Sequence, residues 1–186
     1  INVAVVQGLG PVGIFAVMYL KKLGIKKIYG ITAGNNAERE ALAVELGADK
    51  VFNLEREGVD NVTAALQSEN GGLGVDLCFE ASGAPSAVVQ GMNILRNRGV
   101  YLIPGQYSNS GGIEIQPQMI TFKALHMIGS SQYSICDVKE YLAFLDKYQD
   151  LHIVIEKLSN RYKIDAVNEA FADAKKGCNI KTLLVR

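Results

Sequence analysis

The apolar run Val3-Ala4-Val5-Val6 leads, one residue later, into Gly8-Leu9-Gly10-Pro11-Val12-Gly13. A G-x-G-x-x-G spacing where a strand ends and a helix starts is the setting of the dinucleotide fingerprint. Gly8 permits the tight turn, Gly10 lets backbone approach a pyrophosphate, and Gly13 lets the helix pack closely on the strand. The helix N-terminus then presents unpaired N–H groups and the positive end of its macrodipole to phosphate. With 19 glycines in the chain the spacing alone is weak, and its position gives it weight. Pro11 falls near N1, where its missing N–H costs nothing.

Around this loop, apolar segments of strand and helix period alternate. Strands are expected at 2–7, 27–32, 50–53, 75–79, 99–103 and 125–129, with a short extra strand at 112–115. The first helix should bury Val12, Phe15, Ala16, Tyr19, Leu20 and Leu23, and stop at Gly24. Asn35-Asn36-Ala37-Glu38 has capping-box form, with Asn35 as N-cap and Glu38 at N3. Residues 57–68 read as a helix with Val59, Val62, Ala65 and Leu66 on one face, and residues 86–95 as another. The alternation predicts a doubly wound parallel six-stranded α/β sheet, a Rossmann domain of order 3-2-1-4-5-6 over residues 1–131. Its ligand should cross the carboxyl ends of strands one and four. Residues 132–186 read as an α/β tail too short for a domain of its own. A helix at 137–148 (Val138, Tyr141, Leu142 and Leu145 inward) precedes a strand at 153–157. A helix capped by Asp165, with Val167, Ala170, Phe171 and Ala174 on one face, leads to a last strand at 180–185.

Nineteen basic and nineteen acidic residues balance, which argues against nucleic acid or an anionic membrane as partner. No apolar run approaches the roughly 18 residues needed to cross a bilayer. Cys78, Cys136 and Cys178 are far apart and read as reduced thiols of a cytoplasmic protein. His126 and His152 stand alone and read as structural. No initiator Met or signal peptide precedes the first strand, so the chain is expected to be part of a longer protein.

Several further stretches carry a family likeness. They are Glu45-Leu46-Gly47-Ala48-Asp49, Gly74-Val75-Asp76, Phe79-Glu80-Ala81-Ser82-Gly83, Arg98-Gly99-Val100 and Ile128-Gly129-Ser130. The ending Asn168-Glu169-Ala170-Phe171 to Gly177, then Leu183-Leu184-Val185, adds to them. Together with the glycine loop they run in order along nearly the whole chain. The chain resembles the C-terminal half of the medium-chain dehydrogenase/reductase superfamily, of the zinc-dependent alcohol, sorbitol or threonine dehydrogenase kind. The zinc-free quinone reductase branch usually has an Ala-x-x-Gly-x-x-Gly loop, so this loop favours the zinc branch.

The resemblance implies an oxidoreductase that passes hydride between NAD or NADP and an alcohol or polyol, with zinc in a part of the catalytic domain absent from this chain. Gly8, Gly10, Pro11, Val12 and Gly13 would line the pyrophosphate. Ser82 and Gly83 would approach the cofactor's ribose region, and Pro104, Gly105, Gln106, Ser130 and Gln132 would flank the nicotinamide. Residues 132–186 would belong to the catalytic domain, and the chain alone should bind cofactor without catalysis. The family's acidic residue after the second strand falls on Gly34. Its loss admits a 2′-phosphate, Asn35 and Asn36 follow, and Arg39 is the nearest cation, so NADP is favoured over NAD. The alternative reading of Arg39 is that it covers the adenine or faces solvent.

Glu80 has no visible acid–base partner and reads as structural, and Tyr107, Ser108, Asn109, Tyr133 and Cys136 read as loop residues near the substrate end. Leu125, Met127 and Ile128 make the sixth strand an apolar sheet edge, which predicts a homodimer paired through it. The other function class left open is a nucleotide-sensing Rossmann module that regulates a partner. Such sensors typically keep an acid after the second strand and lack the Asn-Glu-Ala-Phe ending, which favours the enzyme.

Overall fold

The computed structural model describes residues 1–34, 36–177 and 179–186, in two compact units, Ile1–Ser131 and Gln132–Arg186. In the first, strand and helix alternate from the start. β1 (Val3–Gln7) is followed by α1 (Pro11–Lys22), β2 (Lys27–Thr32), α2 (Ala37–Glu45), β3 (Lys50–Asn53), α3 (Leu54–Glu57), α4 (Val59–Gln67) and the single turn α5 (Glu69–Gly72). Then come β4 (Val75–Glu80), α6 (Pro85–Ile94), β5 (Leu95–Ile103), α7 (Gln118–Phe122) and β6 (His126–Gly129). The six strands stand in the order β3-β2-β1-β4-β5-β6 with every pairing parallel, as the sequence predicts. β1 lies between β2 and β4 and all five of its residues are buried, which is why it reads as a continuous apolar run rather than an alternation. Gln7 is level with Ile31 on β2 and Glu80 on β4, so these strand ends form one rim.

Helix faces are less well read from the sequence. α1 buries Gly13, Ile14, Ala16, Val17, Met18 and Leu20, while Val12, Tyr19 and Leu23 are exposed. The helix is apolar nearly all round, so spacing cannot choose its inward face; the contact of Gly13 with the preceding turn chooses it. α4 buries Val62 and Leu66 but leaves Val59 and Ala65 outside. Residues 112–115 form no strand. Asn36, rather than Asn35, is the N-cap of α2, and its Oδ1 accepts from the Arg39 N–H at 3.0 Å. Asn35 lies outside the described residues.

Two polar devices hold the sheet. Tyr101 is fully buried, and its hydroxyl donates to Gln7 Oε1 at 2.9 Å and reaches the Ala87 carbonyl at 3.0 Å. The Cys78 thiol donates to the same Gln7 oxygen, and Gln7 Nε2 donates to the Ala87 carbonyl and to Gln90. Gly91 makes room for this ring, because a Cβ there would lie 2.3 Å from the phenol. α6 passes into β5 without a loop, and Lys123 Nζ donates to the carbonyls of Met92, Asn93 and Leu95, each at 2.8 Å. That places a cation on the helix C-terminus, where the macrodipole favours it.

The second unit begins with α8 (Ile135–Lys147), started by a capping box between Ser134 and Asp137. α9 (Asp150–Lys157) follows where a strand was expected, and the strand is β7 (Ser159–Lys163) instead. Apolar 153–155 suits either state, and the acid at Asp150 and the base at Lys157 suit a helix. A 3₁₀ turn, Ile164–Ala166, carries Asp165, and Ala166 is the N-cap of α10 (Val167–Lys176). Gly177, at φ 77°, ends α10, and β8 (Lys181–Val185) pairs parallel with β7. Tyr141, Leu142 and Phe171, expected inside, are at least half exposed.

Asp76 at the start of β4 ties the N-terminal strand down. Its carboxylate accepts from the backbone N–H groups of Asn2 and Val3 at 2.7 and 2.9 Å and pairs with Arg96. Burial alone would raise its pKa, but the Arg96 hydrogen bond and the two backbone donors win and lower it to about 2. A depressed carboxyl pKa stabilises the fold fully above the unfolded value near 3.9, and that contribution is lost as pH falls toward about 2. Asp76→Asn should therefore cost about 2 kcal/mol at pH 7. It should also flatten the stability loss between about pH 4 and 2, measured by urea unfolding across that range; an unchanged acid limb would refute the assignment.

Candidate functional site

The glycine loop divides into two roles. Gly8 (φ 86°) has no room for a side chain, since a Cβ there would lie 2.6 Å from Ser82 Cα. A Cβ on Gly13 would lie 1.8 Å from the Gly8 carbonyl oxygen. Both are demanded by the protein's own packing. Gly10 is different, because a Cβ on it would meet no atom of the described residues beyond its chain neighbours within 4 Å. It is the N-cap of α1, and no side chain caps the helix. Pro11 and Val12, in the first turn, are exposed. An uncapped helix N-terminus beside bare backbone suits an anion of the pyrophosphate kind.

A chain of close contacts joins the other strand ends to this loop. The Gly8 N–H donates to the Ile31 carbonyl at 2.8 Å, and the Ala81 N–H to the Gln7 carbonyl at 2.8 Å. Glu80, fully buried at the end of β4, organises the next turns. Its Oε1 accepts from the Ser82 N–H (2.7 Å), the Ser82 hydroxyl (2.5 Å) and the Gly83 N–H (2.9 Å). Its Oε2 accepts from Gln106 Nε2 at 3.2 Å, and that amide also donates to the Ala84 carbonyl. The Gly105 N–H donates to the Glu80 carbonyl, and Gly105 must be glycine because a Cβ would lie 2.4 Å from Glu80 Oε2. The Ser130 N–H reaches the Ile103 carbonyl at 3.4 Å. Ser82, Gly83, Pro104, Gly105, Gln106 and Ser130 thus share the rim with Gly8. Gln132, at φ 67°, belongs to the second unit. Glu80 is spent on holding loops, in keeping with its structural reading.

Between the ends of β1, β2 and β4 an apolar pocket of about 170 Å³ opens beside Gly8 and Ser82. Its walls include Ile31, Ala33, Leu54, Ala84 and Ala87, with Gln7 and Gln90 at polar positions. It lies where the strand order reverses direction, between β1 and β4, the expected ligand position in such sheets. The wall residues from β2 and α3 were missed in the sequence. The strand order was the available signal, since it sets the end of β2 beside β1 and that of β3 beside β2. Gly34 (φ 82°) follows β2 and lends its carbonyl to Asn53 Nδ2 at 2.8 Å. Arg39 is half-buried in the first turn of α2. Cys78 is buried and its thiol is pushed up by desolvation, while Cys136 is exposed. Among the described residues no helix is long and apolar enough to cross a membrane, and no cluster of three or more His, Cys, Asp or Glu could hold a metal.

The packing roles predict separable effects. Gly13→Ala should destabilise the fold by about 3 kcal/mol through overpacking, whereas Gly10→Ala should leave the melting temperature nearly unchanged. Thermal unfolding of both variants decides this, and equal losses would contradict the division of roles.

Residues 11–147 match the family described as zinc-binding dehydrogenase. The chain is 34% identical over 128 residues to an L-threonine 3-dehydrogenase of Caldanaerobacter subterraneus, covering 69% of this chain and 35% of that protein. It is 28% identical over 183 residues to 5-exo-hydroxycamphor dehydrogenase of Pseudomonas putida, covering 98% of this chain and 50% of the relative. A crystal structure of an alcohol dehydrogenase from Thermotoga maritima superposes with a TM-score of 0.87 at 25% identity, over 98% of this chain and 49% of that one. The chain therefore spans about half the length of the relatives it matches end to end.

Proposed function

Because the chain belongs to the zinc-binding dehydrogenase family, we propose that residues 1–131 are the nicotinamide-dinucleotide domain of an oxidoreductase acting on an alcohol or polyol and its carbonyl product. The observation that carries this is Gly10, the one fingerprint glycine that the protein's own packing does not require. The residues fit the cofactor: an uncapped helix for the pyrophosphate, an apolar pocket at the strand switch point for the adenine, and a rim of loops beyond β4, β5 and β6 for the rest. When bound, the cofactor would supply the hydride chemistry, and zinc held elsewhere in an intact enzyme would polarise the alcohol or carbonyl oxygen.

This chain's own residues bind and orient. Gly8, Gly10, Pro11, Val12 and Gly13 hold the pyrophosphate. Ser82 and Gly83, fixed by Glu80, face the ribose region. Pro104, Gly105, Gln106 and Ser130 flank the nicotinamide. Residues 132–186 are a segment of the catalytic domain, and among the described residues no cluster could hold zinc. The 186-residue protein then binds cofactor without turning over alcohol. On Gly34, Asn35 and Arg39 alone, the choice between cofactors falls to NADP(H).

Calorimetric titration with NADH and NADPH tests the reading. At least one should bind, and Gly10→Val should weaken it about tenfold or more, a loss of roughly 1.4 kcal/mol, with folding retained. Binding of neither to the folded protein would end the proposal.

β6 is the last strand of the sheet among the described residues, with Leu125, directly before it, buried and Ile128 exposed. Unpaired edges of this kind invite pairing, and a homodimer joined through β6 follows as a further proposal. Sedimentation should show a dimer that Ile128→Lys converts to monomer; a wild-type monomer would dismiss it.

A further inference from the structure

The neighbours of Gly34 point away from NADP(H). We propose that Glu55, at the start of α3, gives the adenosine ribose the carboxylate that Gly34 lacks, so that this domain prefers a dinucleotide with a free 2′-hydroxyl. The proposal rests on the dinucleotide reading above.

Three observations place Glu55 in that role. Among the described residues beyond its chain neighbours, a Cβ built on Gly34 would find one atom within 4 Å, Glu55 Oε1 at 3.9 Å. The space that an aspartate at this position would enter is thus already approached by a carboxylate oxygen. Gly34 itself has φ 82°, a left-handed conformation that an aspartate would adopt only with strain. Second, the approach is tied by Asn53, which is 1% exposed. Its Nδ2 donates to the Gly34 carbonyl at 2.8 Å, and its Oδ1 accepts from the Glu55 and Arg56 N–H groups at 3.0 and 3.2 Å. One buried amide therefore joins the loop after β2 to the turn after β3. Third, Ala33 and Leu54, the residues directly before Gly34 and Glu55, both line the pocket assigned to the adenine. Glu55 is exposed beside it and open to a ligand.

The surrounding charges act in the same direction. Arg56 is engaged by Glu40 in a two-pronged ion pair (3.0 and 2.6 Å), and Lys50 by Glu57 at 3.2 Å. The first turn of α2 carries Glu38 and Glu40 on either side of Arg39. Glu38, Glu40, Glu55 and Glu57 outnumber Arg39, Lys50 and Arg56, so a doubly charged 2′-phosphate would meet net negative charge. A ribose 2′-hydroxyl would find a carboxylate acceptor in Glu55, as in dinucleotide domains that carry the acid after the second strand.

ADP-ribose and 2′-phospho-ADP-ribose isolate this end of the cofactor. Calorimetric titration of the full 186-residue chain should show the unphosphorylated ligand bound about tenfold more tightly or better. Glu55→Gln should lower that ratio about tenfold, Glu55→Arg should invert it, and added salt should shrink the difference. A wild-type preference for the phosphorylated ligand, or a ratio unmoved by Glu55→Gln, would overturn the role of Glu55 while leaving the dinucleotide reading standing. Binding of neither ligand to the folded wild type would overturn both.

Discussion

The close seating of α1 on the end of β1 is the constraint on which the site depends. Gly13 approaches the Gly8 carbonyl so nearly that a Cβ would overlap it, and Gly8 in turn abuts the Ser82 backbone. These two contacts fix the direction of α1 and the distance between the β1 and β4 loops. Once they are fixed, the helix N-terminus faces the gap at the strand switch point, with Gly10 as bare backbone beside it. Overpacking at either contact would move the helix and with it any phosphate position. Fold and site are therefore specified here by the same atoms.

A second layer of polar groups makes this rim rigid. Glu80 accepts four hydrogen bonds from Ser82, Gly83 and Gln106, converting loose turns after β4 and β5 into one unit. Below it, Gln7 joins β1 to β4, β5 and α6 through Cys78, Tyr101, Ala87 and Gln90. Buried polar groups are costly unless satisfied. Gln7 is satisfied at both ends, so the network holds the strands in place at little net penalty. The partners of Glu80 are the backbone and side chains of the loops after β4 and β5, which it holds in place.

The elements read most securely from sequence were those with two independent signals. The apolar run of β1 next to the glycine loop, and Pro11 at the start of α1, placed strand, turn and helix correctly. The parallel sheet followed from alternation, and its order from three strands on each side of the glycine fingerprint. Short apolar stretches with one signal fared worse. Residues 153–155 suit strand or helix, and the charged residues at the ends of α9 settled them as helix. The isoleucines of 112–115 found no neighbouring strand to pair with. Residues of the pocket wall, from Ile31 to Leu54, carry no motif, since their role comes from strand adjacency rather than residue type.

Sequence by itself determined the class of sheet, the glycine loop at its centre and the missing acid at position 34. These are local matters of backbone freedom, period and residue type. Tertiary structure decided which face of α1 turns inward, which glycine its own packing leaves open, and what stands beside Gly34. Glu55 lies 21 positions further along the chain, and only the pairing of β2 with β3 and the Asn53 tether bring its carboxylate to that glycine. Periodicity reports the neighbours of a residue along the chain. The charge that meets a cofactor is set by neighbours across the sheet, and those exist only when the chain has folded.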